Sequence, residues 1–185
     1  MSSRCRLPAV LAGVVLLSGA ASAAEPDGLV YPRIKGFGGV VAVADGAEPP
    51  RPKTRILFDI TADSKPDAVN KGLERVARCL NLYAAAGVKD SDVTVAVVLH
   101  GDAARCVLND AGYAKSVKGV ASANPNLALV RELKKAGVEL FVCGQSLHYK
   151  KLKAADVSPE FRVAVAAMIV VANRQADGFA VLAIP

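Results

Sequence analysis

Cysteines and histidines are the residues of this chain best suited to chemistry near neutral pH, and among them Cys143 holds the most suggestive position. It follows the apolar run Leu140-Phe141-Val142 and precedes Gly144, Gln145 and Ser146, with a helix predicted from Ser146 through Lys150. A thiol at such a junction faces the partly positive N–H groups of a helix start. Those groups favour the thiolate, which is the nucleophile. The same residue is small and apolar enough to be an ordinary buried cysteine.

His100 lies in Leu99-His100-Gly101-Asp102. An imidazole there can act as a base, orient a ligand or simply satisfy a turn, since its proton is exchanged near neutral pH. Asp102 is expected to cap a helix over residues 103–108. Cys106, one turn into that helix, is a candidate resolving partner for Cys143 or a core residue. The three cysteines that follow the leader, Cys79, Cys106 and Cys143, allow at most one intramolecular disulfide and leave a thiol over. Cys79 falls among apolar helix positions and should be shielded.

Other arrangements are excluded by what they lack. Gly144-Gln145-Ser146-Leu147-His148 has His148 where the serine-hydrolase elbow needs its second glycine, and no Asp and His follow in order. A zinc site from His100, His148, Cys106 and Cys143 would contain no closely spaced ligand pair, so no metal is expected. Gly36-Phe37-Gly38-Gly39 neither follows a strand nor opens a helix, and Thr61-Ala62-Asp63-Ser64-Lys65 has too few hydroxyls and one acid for a flavin phosphate. No cofactor is expected. The one basic cluster, Lys150-Lys151-Leu152-Lys153, has no interleaved aromatics and suits a solvated helix end, which argues against a nucleic-acid partner.

The elements that must position these residues follow from pattern. Residues 55–61, 93–99 and 138–142 are apolar, β-rich runs, and residues 67–86 carry Val69, Leu73, Val76, Leu80 and Tyr83 at helical spacing. Asn124 and Pro125 open a second helix with the stripe Leu129, Val130, Leu133 and Ala136, which Gly137 ends. Residues 161–165, 166–176 and 179–184 are read as strand, helix and strand. Repeated strand and helix units imply a parallel sheet with right-handed crossovers. Reactive groups in such sheets gather beyond the carboxyl ends of the strands. That rule selects Asp59 and Thr61, then His100, Gly101 and Asp102, then Cys143, Gly144, Gln145 and Ser146. His100 and Cys143 share an edge if their strands are neighbours.

Residues 1–23 have the layout of a secretory signal peptide: Arg4 and Arg6, an apolar run over 7–17, then small residues to Ala23. The apolar run is well short of the roughly 20 residues of a membrane span, so none is expected after cleavage. Cys5 precedes that run and does not fit a lipid anchor. Loss of Arg4 and Arg6 lowers the formal net charge from +6 to about +4. Periplasmic or secreted placement follows as an expectation. Residues 24–53, broken by glycines and prolines, are an N-terminal arm in which residues 40–43 can add an edge strand. Residues 54–185 form one α/β domain.

Further fragments complete a pattern: Tyr31-Pro32 with Gly36 and Gly39, Tyr113, Asn124-Pro125-Asn126, Glu132 through Val138, Cys143-Gly144-Gln145-Ser146-Leu147 and Gly178-Phe179. With these the chain resembles the DsrE/DsrF-like family, in particular its small exported members. The resemblance implies a three-layer α/β/α domain around a five-stranded, mainly parallel sheet, assembled as a homo-oligomer, often a trimer or hexamer. It also implies sulfur-carrier relatives in which a Cys after a strand accepts a persulfide sulfur and passes it on, the position Cys143 matches, with a sulfur donor or acceptor protein as partner. Unlike those carriers, Cys143 is followed by Gly144-Gln145-Ser146 and not by a small apolar run. Two functions are thus expected. One is a sulfur carrier or thiol-redox protein using Cys143, supported by His100, Gly101, Asp102, Gly144, Gln145, Ser146 and Cys106. The other is a ligand-binding or assembly module with a pocket at the strand ends. Both describe a carrier or binding protein more than a turnover enzyme.

Overall fold

The computed structural model describes residues 28–118 and 123–185; the leader expected over 1–23 lies outside them. Five strands, β1 (Thr54–Ile60), β2 (Val93–Leu99), β3 (Glu139–Cys143), β4 (Arg162–Ala164) and β5 (Ala180–Ile184), form one sheet in the order β4-β3-β2-β1-β5. Every pairing is parallel. The helices are α1 (Lys71–Ala85), α2 (Asp110–Ser116), α3 (Leu127–Lys135), α4 (Gly144–Tyr149) and α5 (Ala167–Ala176).

This strand order decides how the two faces are covered. From β1 to β4 the chain steps one strand at a time in one direction, and right-handed crossovers keep the intervening helices on one face. Leu73, Val76 and Leu80 of α1, Leu129 and Leu133 of α3 and Leu147 of α4 pack there against Ile56, Phe58, Ile60, Val97, Leu99, Leu140 and Val142. The step from β4 back across the sheet to β5 runs the other way, so its helix lands on the opposite face. There Ala167 and Val170 of α5, with Phe179, cover Leu57, Ala96, Val98 and Cys143. The domain is three-layered, with α5 as the third layer among the described residues.

Several boundaries differ from expectation for local reasons. Residues 40–43 do not join the sheet: Val40 makes a single antiparallel bridge to Val30, and Val41 and Val43 are exposed. Helix α1 starts at Lys71 because the Asn70 side chain accepts the N–H groups of Gly72 and Leu73. The expected helix over 103–108 is a 3-10 helix, Gly101–Val107, and Asp102 does not cap it; its carboxylate pairs with Lys150. Helix α3 begins at Leu127, although Asn124 does accept the Asn126 N–H at 3.0 Å, as a cap would.

The segment before β1 is tied down by one side chain. Asn81 of α1, fully buried, accepts the N–H groups of Arg33 (2.9 Å) and Ile34 (2.8 Å) and donates to the carbonyls of Phe37 (2.9 Å) and Gly38 (3.0 Å).

Candidate functional site

Side chains alternate along β3, so Leu140 and Val142 enter the larger core and Cys143 faces the α5 side. Cys143 is the last residue of β3 and the N-cap of α4, and its Sγ accepts the Ser146 N–H at 3.4 Å. Burial is the largest single influence on the thiol and pushes its pKa up. The Ser146 hydroxyl and the backbone N–H groups of Ser146, Ala167 and Gln145 outweigh it, and the thiol sits below its ordinary value of 9.0. Ala167 opens α5, so the sulfur lies at the starts of two helices.

Ser146 links this cysteine to the end of β2. Its hydroxyl accepts the Gly101 N–H at 3.1 Å and also hydrogen-bonds the thiol. Gly101 can offer that N–H because it adopts φ +57, with the Thr61 carbonyl only 3.4 Å from where a Cβ would stand. Gly144 is required for a different reason: a Cβ there would lie 2.9 Å from the Ala164 carbonyl and push β4 away.

Asp59 and Val98 are paired across β1 and β2, and Val98 and Phe141 across β2 and β3. Two residues beyond Val98 and Phe141, on the same face, come His100 and Cys143. His100 Nε2 and Asp59 Oδ1 are 2.7 Å apart. Asp59, His100, Cys143 and Gln145 line one cleft of about 400 Å³, closed on its other side by Ala166, Ala167, Met168, Val171, Ala172 and Gln175. Gln145 donates to the Val165 carbonyl at 3.2 Å.

Asp102 stays outside the cleft lining, its carboxyl held low by the hydrogen bond and charge of Lys150. Cys106 is not brought to Cys143. It is fully buried in the core on the opposite face, within 3.5 Å of Asp63 Oδ1 and Asn70 Nδ2. Burial, with Asp63 beside it, pushes its thiol up to about 12. The resolving-thiol arrangement is therefore overturned, because the sheet separates the two sulfurs. Cys79, half-buried in α1, is pushed up to about 11 by burial. Among the described residues no three His, Cys, Asp or Glu side chains gather as a metal would need.

Sequence reasoning placed Asp59 at a strand end without its partner, and missed Ala167 altogether. The strand-end rule selected Asp59, and its pairing with His100 follows only once β1 and β2 are known to be neighbours. The approach of α5 to Cys143 has no local signal.

The model of the DsrE/DsrF-like family matches residues 60–184. The chain belongs to this family. The DsrE match runs from the last residue of β1 to the last of β5 and so includes His100, Cys143 and Ser146. Among solved structures, a protein of unknown function, MTH1491, from Methanobacterium thermoautotrophicum is similar, with a TM-score of 0.52 and 20% identity. The similarity covers 71% of this chain and 99% of that one and concerns the fold alone. No curated protein matches. Among the described residues no helix of this DsrE-family chain is long and apolar enough to cross a membrane.

The role of Ser146 is open to a direct measurement. In Ser146→Ala the thiol loses its hydroxyl donor while burial remains, so its pKa rises. The pH midpoint of iodoacetamide labelling at Cys143 should move up by about one unit, the scale of one lost hydrogen bond to a charged group. An unchanged midpoint would mean that the backbone N–H groups suffice.

Proposed function

We propose that this DsrE-family protein handles sulfane sulfur, with Cys143 as the acceptor. The observation that carries this reading is the thiol's setting: N–H groups from two helix starts and the Ser146 hydroxyl favour its thiolate on the wall of a cleft. A thiolate so placed attacks the outer sulfur of a low-molecular-weight hydropersulfide, and the donor's S–S bond breaks as the new one forms. The product is a Cys143 persulfide, which a second thiol can discharge. Consistent with the leader expected over residues 1–23, we place this chemistry outside the cytoplasm.

The test is exposure of the reduced protein to polysulfide, followed by mass spectrometry of each cysteine-containing peptide. A gain of one sulfur, about 32 Da, is expected on the Cys143 peptide, with none on those of Cys79 and Cys106. Cys143 exposes only 5% of its surface, and that observation favours a second reading in which the cleft binds a ligand without covalent chemistry. Absence of any adduct would put the binding reading first.

The assembly belongs to the same proposal. Val163, Val165, Met168 and Ile169 expose 50%, 76%, 75% and 47% of their surface around β4 and the start of α5, exposed apolar side chains of the kind that copies of one chain bury against each other. Light scattering at micromolar concentration should give a homo-oligomer, and a monomer throughout would remove this part.

A further inference from the structure

We propose that His100, held by Asp59, is the general acid of sulfur transfer at Cys143 and protonates the thiolate that leaves the incoming persulfide. This step rests on the sulfur-handling reading above and adds to it the group that makes departure of the donor fast.

Three observations carry it. First, Asp59, His100 and Cys143 stand at the carboxyl ends of three adjacent strands, β1, β2 and β3, on the same face of the sheet and in one cleft. Neighbouring strands are spaced by about 4.8 Å. The imidazole is therefore one strand from the sulfur, with the carboxylate behind it. Second, an ionised carboxylate only accepts hydrogen bonds, so the 2.7 Å contact puts a proton on His100 Nε2 and leaves Nδ1 as the nitrogen free to exchange one. The thiol's hydrogen-bond partners are Ser146, Ala167 and Gln145, and the imidazole is not among them. A substrate sulfur can thus lie between imidazole and thiol. Third, among the described residues the cleft wall contains no Lys or Arg. His100 is the one described lining side chain able to carry positive charge to a departing thiolate.

The atoms balance without an added oxidant or reductant. The Cys143 thiolate attacks the outer sulfur of R–S–S–H, a new S–S bond to Cys143 forms and the donor's own S–S bond breaks. The electron pair leaves on R–S⁻, which takes the Nδ1 proton of the imidazolium and departs as R–SH. His100 keeps its Nε2 proton, donated in a hydrogen bond to Asp59, and regains a proton at Nδ1 from solvent. His100 acts on the substrate, and Asp59 is a positioning residue that stabilises the imidazolium.

General acids matter most for poor leaving groups, which supplies a readout that a structural role would not move. The probes are bis(2-hydroxyethyl) disulfide, which releases an alkyl thiolate, and bis(4-nitrophenyl) disulfide, which releases a far less basic aryl thiolate. The rate of mixed-disulfide formation on the Cys143 peptide is followed by mass spectrometry in the native chain, His100→Gln and Asp59→Asn. His100→Gln should be about a hundredfold slower with the alkyl probe and within about threefold of native with the aryl probe. Asp59→Asn should show the same selectivity at smaller amplitude. Equal slowing with both probes in both variants, or no slowing with either, would overturn the assignment. Sulfur uptake from polysulfide by the native chain is measured alongside. Its absence would defeat the sulfur-handling reading, whereas normal uptake with no probe selectivity would defeat only the role of His100.

Discussion

Cys143→Ser is expected to take up no sulfur from polysulfide while its thermal midpoint stays within about 3 °C of the native chain, the shift of roughly 1 kcal/mol in a domain of this size. The two halves of that result have separate causes. Position 143 is the N-cap of α4, where Sγ accepts the Ser146 N–H. Serine is among the best residues for that task, so its hydroxyl can take over the cap and the helix start is preserved. The chemistry is not preserved, because a hydroxyl under these conditions stays protonated and carries no sulfane sulfur. Cys79 and Cys106 are poor substitutes, with burial holding their thiols up near 11 and 12. An adduct of equal yield in Cys143→Ser would move the site to one of them. A variant that fails to fold would instead show that the thiol is needed for packing.

The second large effect is on stability. Asn81→Leu should destabilise the protein by about 3 kcal/mol, or roughly 10 °C in thermal midpoint. Five backbone groups of residues 33–38 depend on that one amide, two N–H donors and three carbonyls. Leucine has similar volume but offers them nothing, and each buried group left without a partner costs about 1–3 kcal/mol unless the segment lifts into water. Lifting would uncover Ile34, which is packed in the main core. Urea unfolding measures the loss, and limited proteolysis should show earlier cleavage within residues 28–53. A change under about 1 kcal/mol with no new cleavage would mean that the segment is held by its apolar contacts alone.

What the chain's residues determine by themselves is the local grammar of the site. Val-rich runs over residues 93–99 and 138–142, each preceded by a helix stop at Gly87 or Gly137, mark buried parallel strands whatever else surrounds them. The junction of β3 with α4 then puts Cys143 at a strand end, and the same logic puts His100 at the end of β2. Periodicity and caps act within a few residues, so they are legible in one dimension.

Tertiary structure decided which of those residues meet. Whether a side chain at a strand end faces one layer or the other depends on pleat parity and on the path of the next turn. The 3-10 helix after Gly101 turns Cys106 into the α1 and α3 core, while Cys143 faces α5. The pairing of Asp59 with His100 needs β1 and β2 side by side, 41 residues apart in the chain. Most consequential is the final crossover. β5 pairs with β1 at the far edge of the sheet, so α5 must cross the opposite face, and its first residue, Ala167, arrives at the Cys143 sulfur. Strand order is set by long-range packing and crossover handedness, which no short window of sequence contains. For that reason the place of Cys143 at a strand end could be read from the residues around it, and the approach of Ala167 with the rest of α5, which closes its cleft, could not.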